Sequence, residues 1–163
     1  MHADDSNLSY DGFVDLQHIN RHYIEKIFKN ISLKNADKKN TNALKIGDTL
    51  YITIELINGK KEYAYGIAIF NSSGIKITSY ATWMYDIYID SPQKLSLKID
   101  RLLLPPGRYS IYLSATNHSA GQYIDSLENA IFFEVSESDF FKTGKLFSAS
   151  YGACILPGNL ILE

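Results

Sequence analysis

The sequence predicts an all-β protein, an antiparallel β-sandwich of about eight strands. Three observations carry this reading. Short runs rich in Ile, Tyr and Phe recur along the chain, separated by Gly, Asn, Ser and Pro. In the clearest run, read from Gly107, apolar Tyr109, Ile111, Leu113 and Ala115 alternate with hydroxyl-bearing Ser110, Tyr112, Ser114 and Thr116. A half-buried strand needs that period of two, because successive side chains point to opposite faces. Finally, no segment keeps a helical period long enough for a long helix. A closed barrel is the alternative the same pattern allows.

The elements follow in order. Residues 1–22 read as a linker or a segment appended for expression, with Phe13, Leu16, Ile19 and Tyr23 near the spacing of a short helix. The β-sandwich domain then occupies 23–163. "YIEKIFKNISL" (23–33) is an irregular first strand, "KKNTNALKIGD" (38–48) a connection, and "TLYITIEL" (49–56) a β-branched strand. "NGKK" (58–61) supplies an Asn-Gly turn before the strand "EYAYGIAIF" (62–70). "NSSG" (71–74) turns the chain into "IKITSYATWMY" (75–85), and "QKLSLKID" (93–100) follows. "LLLPPG" (102–107) is a corner stiffened by Pro105 and Pro106. "RYSIYLSAT" (108–116), "NAIFFEVSE" (129–137) and "KLFSASYGACIL" (145–156) complete the set.

Composition narrows the function. The 163 residues are 45% hydrophobic and 21% charged, enough for one domain with a real core. A net charge of -2 gives no general attraction to nucleic acid or to an anionic membrane. The single cysteine, Cys154, excludes an internal disulfide framework and reads as a buried small hydrophobe. Neither a signal peptide nor a membrane span is visible, so the cytoplasm is the expected location.

Most catalytic and metal chemistries lack a pattern here. There is no phosphate-binding glycine loop and no G-x-S-x-G elbow. His18 and His22 are four residues apart but have no further zinc ligands nearby. "NLSYDGFVD" (7–15) departs from a calcium loop, since its closing position is His18 rather than Glu. Asp86, Asp90, Asp100 and Asp125 lie near strand ends, where aspartates are usually turn formers rather than paired hydrolytic carboxyls. No cofactor and no metal is expected.

Sugar binding fits better. The chain holds 12 Tyr and 8 Phe, and "SYATWMYDIYID" (79–90) gathers Tyr80, Trp83, Tyr85 and Tyr88 with Asp86 and Asp90. Aromatic faces stack on the apolar side of a pyranose ring, and adjacent carboxylates and hydroxyls bind its hydroxyls. If the strand is regular, Trp83 and Tyr85 share one face and Tyr80 and Tyr88 the other. Core packing of alternate aromatics and a tyrosine-rich protein interface are the rival readings.

Taken in order, several blocks resemble the C-terminal carbohydrate-binding domain of Wzt-type proteins, the ATPase subunits of transporters that export O-antigen polysaccharide. "LKIGDTLYITIEL" (44–56) is similar to that family's G-x-x-l-x-i-x-i-x-y strand. "YGIAIFNSSGIKITSYAT" (65–82) is similar to its hairpin, although Ala81 stands where the family often has Asn. "LLLPPGRYSIYLSA" (102–115), "ENAIFFEVSES" (128–138) and "GKLF" (144–147) resemble its later blocks. The resemblance implies an immunoglobulin-like sandwich. It also implies a non-catalytic module that recognises the non-reducing end of an O-polysaccharide before export. The implied partners are that chain terminus, a second copy exchanging its last strand, a nucleotide-binding domain earlier in the full protein, and the transporter's membrane subunit. The implied location is the inner face of the inner membrane.

The resemblance transfers no ligand motif, so exposure parity selects the candidate carbohydrate-binding residues. Tyr112, Ser114 and Thr116 share the wet face of one strand, and His118 extends it into a loop. Trp83, Tyr85 and Asp86 form the densest cluster of aromatics and acid. Tyr123, with Gln122 and Asp125, is expected in the loop after His118.

Overall fold

The computed structural model describes residues 11–156 together with 158, 160 and 161. Among them the chain forms nine strands: β1 (Phe13–Asp15), β2 (Phe28–Lys34), β3 (Ala43–Lys45), β4 (Leu50–Leu56), β5 (Tyr63–Asn71), β6 (Lys76–Ala81), β7 (Lys94–Ile99), β8 (Gly107–Asn117) and β9 (Gln122–Ser136). They build two sheets, in the orders β1-β2-β4-β7 and β3-β9-β8-β5-β6. The architecture is the expected immunoglobulin-like sandwich. Every pairing is antiparallel except β3 with β9, which is parallel.

The core lies between the sheets and follows strand parity. From the four-stranded sheet come Ile31, Leu33, Ile52 and Ile54, all fully buried. Facing them are Ile67, Ile69, Ile111, Leu113 and Phe133. Burying side chains of this size contributes roughly 1.5–3 kcal/mol each before conformational entropy is subtracted. Tyr109 stacks on Phe133 at 5.4 Å and donates its hydroxyl to the Pro105 carbonyl at 2.8 Å. That bond satisfies a buried polar group and ties the proline corner to β8.

The leading segment differs from expectation. The expected linker or short helix at 1–22 falls partly outside the described residues, but 13–22 belong to the sandwich. Phe13–Asp15 is an edge strand on β2, and Leu16 is fully buried. Gly12 makes this possible. Its φ is +67°, and a Cβ there would sit 2.6 Å from the Thr41 backbone, so glycine alone fits both the conformation and the gap.

A buried ion pair then locks the segment down. Arg21 Nε and Nη2 donate to Asp125 Oδ1 and Oδ2 at 2.7 and 2.9 Å. The guanidinium also donates to the Leu16 and Phe28 carbonyls. Asp125 Oδ2 accepts from the Ile27 and Phe28 amides at 2.8 and 3.2 Å. Asp125 is therefore neither a loop residue nor a hydrolytic carboxyl. A bulge at Ile124 turns both Ile124 and Asp125 inward, since Ala115 pairs with Asp125 but Thr116 with Tyr123.

Other expectations are refined or change. The connection at 38–48 contains β3. The Asn-Gly turn carries the chain from one sheet to the other, with Asn58 at φ 54°. The strand expected over 75–85 stops at Ala81 and becomes a 3-10 turn, Thr82–Tyr85. The run 145–156 forms no strand and pairs with neither sheet. It crosses the domain as an irregular strap, bonded from Phe147 to Ser138 and from Ile155 to Leu103. A series of ring contacts runs into it: Phe140 meets Phe141 edge to face, and tilted contacts join Phe141 to Phe147 and Phe147 to Tyr151. Cys154 lies on this strap and is exposed, not buried.

Candidate functional site

The outer face of the five-stranded sheet carries a groove of about 730 Å³. Strand register builds it. In one row, Lys76 of β6 pairs with Phe70 of β5, Phe70 with Ser110 of β8, and Ser110 with Phe132 of β9. The next row sets Ser79 beside Ala68 and Ala68 beside Tyr112. Period-two alternation sends Ile69, Ile111 and Phe133 into the core, so Phe70, Ser110, Tyr112 and Phe132 face outward.

A bulge completes the second row. Ile111 pairs with Ile131 and Leu113 with Leu127, so Glu128, Asn129 and Ala130 stand opposite Tyr112. Asn129 adopts φ 53°, a left-handed conformation that asparagine tolerates better than most residues. The extra residues push Glu128 and Asn129 out to the groove wall.

The walls are aromatic and the rim is charged. Phe70 meets Tyr112 edge to face at 6.3 Å. The Arg108 guanidinium lies 4.3 Å from the centre of the Phe132 ring, and the Lys76 ammonium 5.6 Å from that of Phe70. Small residues keep the floor low: Ser110 and Ala68 are 8% and 4% exposed. Partial burial raises the Tyr112 phenol above its usual range, and the neighbouring Tyr123 and Glu128 add to the shift. The phenol is therefore a neutral hydroxyl, able to donate and to accept, throughout the physiological range.

The structure separates the residues expected from sequence. Tyr112 and Tyr123 line the groove, though Tyr123 lies on β9 rather than in a loop. Ser114 and Thr116 continue the same face of β8 away from the groove. They are half-buried rather than wet, and Thr116 Oγ1 donates to the Ala64 carbonyl at 3.5 Å. His118 is exposed beyond the end of β8. Trp83 and Tyr85 sit on the 3-10 turn, and Asp86 caps its end, past Ala81, which pairs with Gly66, four residues along β5 from Phe70. At ~3.3 Å per residue that is roughly 13 Å from the groove's central row. Parity does not apply to a 3-10 turn, so Trp83 and Tyr85 are both exposed. Thr82 anchors this turn by accepting the Tyr65 amide at 3.1 Å.

Phe70, Phe132, Arg108, Lys76, Glu128 and Asn129 were missed as site residues. Alternation in "GIAIF" and "AIFFEV" does mark Phe70 and Phe132 as outward. Only the register makes them neighbours. Among the described residues, no group of three or more His, Cys, Asp or Glu is placed to hold a metal ion. Glu128 is the one carboxylate among the groove-lining residues.

Comparison with known proteins agrees with this architecture. A family model described as the Wzt C-terminal domain matches residues 25–147. The solved structure "Crystal structure of the C-terminal domain of wzt" superposes with a TM-score of 0.70 at 13% identity, covering 99% of this chain and 98% of that one. At that identity the likeness shows the fold alone. A β-glucuronidase from Parabacteroides merdae matches over 71% of this chain and 14% of its own, at 12% identity and a TM-score of 0.41. The soluble domain of PmoD from Methylocystis matches over 68% of this chain and 97% of its own, at 10% identity and a TM-score of 0.40. Neither of these two carries an argument. No curated protein sequence matches significantly.

Proposed function

This chain belongs to the family of Wzt C-terminal domains, and on that premise we propose that it is a non-catalytic carbohydrate-binding module. Its ligand is the non-reducing end of an O-antigen polysaccharide, which it selects for export by an ABC transporter. The observation that carries the reading is the groove, where Phe70, Tyr112 and Phe132 surround a low floor at Ser110. Stacking on those rings accepts the apolar face of a sugar, and Tyr112, Tyr123, Asn129 and Glu128 offer groups for its hydroxyls. The groove opens to solvent, as a chain terminus that must enter and leave requires. We expect a Kd of about 0.1–1 mM, about -4 to -5 kcal/mol.

A non-catalytic role accords with the carboxylates. Glycoside hydrolysis uses two across one sugar ring, whereas this groove is lined by Glu128 alone and Asp125 is committed to Arg21. Within the full protein the module would act at the inner face of the inner membrane, through the transporter's membrane subunit. Among the described residues no helix is long and apolar enough to cross a membrane.

Titrating the isolated domain with its O-polysaccharide, followed by amide shifts, tests the reading. Saturable shifts at Phe70, Tyr112 and Phe132 are expected. No shift at millimolar polysaccharide overturns it, and shortening of the glycan during incubation restores an enzyme. A second reading, an interaction or dimerisation surface, is favoured by one observation. Leu146, Leu156, Leu160 and Ile161 are 58%, 82%, 95% and 74% exposed and join neither sheet. Exchange of this last segment between two copies would cover them.

A further inference from the structure

We propose that the groove selects a sugar bearing an anionic group, a carboxylate or a phosphate, and holds that group at the end formed by Lys76 and Arg108. This rests on the glycan reading above. Phe70 and Phe132 flank Ser110 in a single row, with Lys76 beyond Phe70 on β6 and Arg108 over Phe132. A sugar ring over Ser110 thus has an aromatic ring on each side, with Lys76 ending its row on β6 and Arg108 two residues along β8 towards the β5–β6 hairpin. Among the described residues neither cation forms an ion pair. Arg108 has Glu134 as its cross-strand partner, yet its guanidinium lies over Phe132.

The carboxylate that lines the groove is at the other end. Glu128 stands with Tyr112 and Tyr123, close enough to influence the Tyr112 phenol. The groove is therefore graded, cationic towards the β5–β6 hairpin and anionic towards the bulge of β9. An acidic sugar is drawn to one end and repelled from the other, which fixes the direction in which it lies. The planar Arg fork matches a carboxylate or phosphate in two parallel bonds, and Lys76 adds a point charge. Because the cations are exposed, the preference is screened by salt.

Amide-shift titrations of the chain with glucuronate, glucose 6-phosphate and glucose, at about 10 mM and about 0.5 M salt, test this. At low salt the acidic sugars should half-saturate the groove at roughly tenfold lower concentration than glucose. The gap should shrink at high salt and narrow in Arg108→Gln and in Lys76→Gln, both exposed positions. The order of glucuronate and glucose 6-phosphate identifies the preferred acid. Equal half-saturation by all three sugars overturns the proposal and leaves the glycan reading standing. So does an acid preference that survives both substitutions. If neither these sugars nor the O-polysaccharide shifts groove amides, the glycan reading fails and the proposal with it.

Discussion

Two regions of this molecule concentrate aromatic side chains, and the fold treats them in opposite ways. The turn and loop after β6 hold Trp83, Tyr85 and Tyr88 within six residues, 50%, 58% and 43% exposed. The groove draws Phe70, Tyr112, Tyr123 and Phe132 from three strands. The first region is dense in sequence, but its rings are about half exposed and line no part of the groove. The second is sparse in sequence yet concave, because hydrogen-bonded register sets its rings side by side on a rigid scaffold. Aromatic density along a chain is a weaker sign of a site than aromatic convergence across strands.

The groove's support is the largest effect to test. Asp125→Ala leaves the Arg21 cation buried without its partner and should cost about 3–5 kcal/mol in urea denaturation. Trp83→Ala should change stability by no more than about 0.5 kcal/mol. A cost below about 1 kcal/mol for Asp125→Ala would mean that the ion pair does not hold the start of β9, and with it Tyr123.

Affinity divides the two regions next. Tyr112→Ala should weaken glycan binding at least about tenfold by calorimetry, about 1.4 kcal/mol, while the domain still folds. Trp83→Ala should weaken it less than about twofold. Equal losses would place the loop in the site and break the distinction.

The smallest expected effect is with pH. The Tyr112 phenol lies above its ordinary value of 10.0 because burial disfavours the phenolate. Its neutral form therefore persists to alkaline pH, and its contribution to binding is lost only as the phenol ionises above pH 10. Glycan affinity should be level from about pH 6 to 9. A fall within that window would assign the groove's key hydroxyl to another group.

Much of this was legible in the chain. The alternation through β8 placed Tyr109, Ile111, Leu113 and Ala115 inside, where they are 5%, 0%, 0% and 0% exposed. The hairpin at "NSSG" was also legible, since Asn71 Oδ1 caps the Ser73 and Ile75 amides locally. What failed depended on distant partners. β1 is three residues long and exists because Gly12 can approach Thr41. The run 145–156 has strand-forming residues, but its backbone bonds go to Ser138 and Leu103, outside either sheet. Trp83 and Tyr85 were read by a parity that ended at Ala81.

By itself the sequence determined an all-β chain, the inward face of its central strands, and a family resemblance that the match over residues 25–147 bears out. Those features depend on period two and on turn chemistry, and both act within a few residues. Tertiary structure alone decided the pairing of Phe70 with Ser110 and of Ser110 with Phe132, the two bulges of β9, and the burial of Asp125 against Arg21. Register and bulges are set where distant strands meet. A one-residue shift in either strand turns a wall of the groove into core, so no local pattern could have located it.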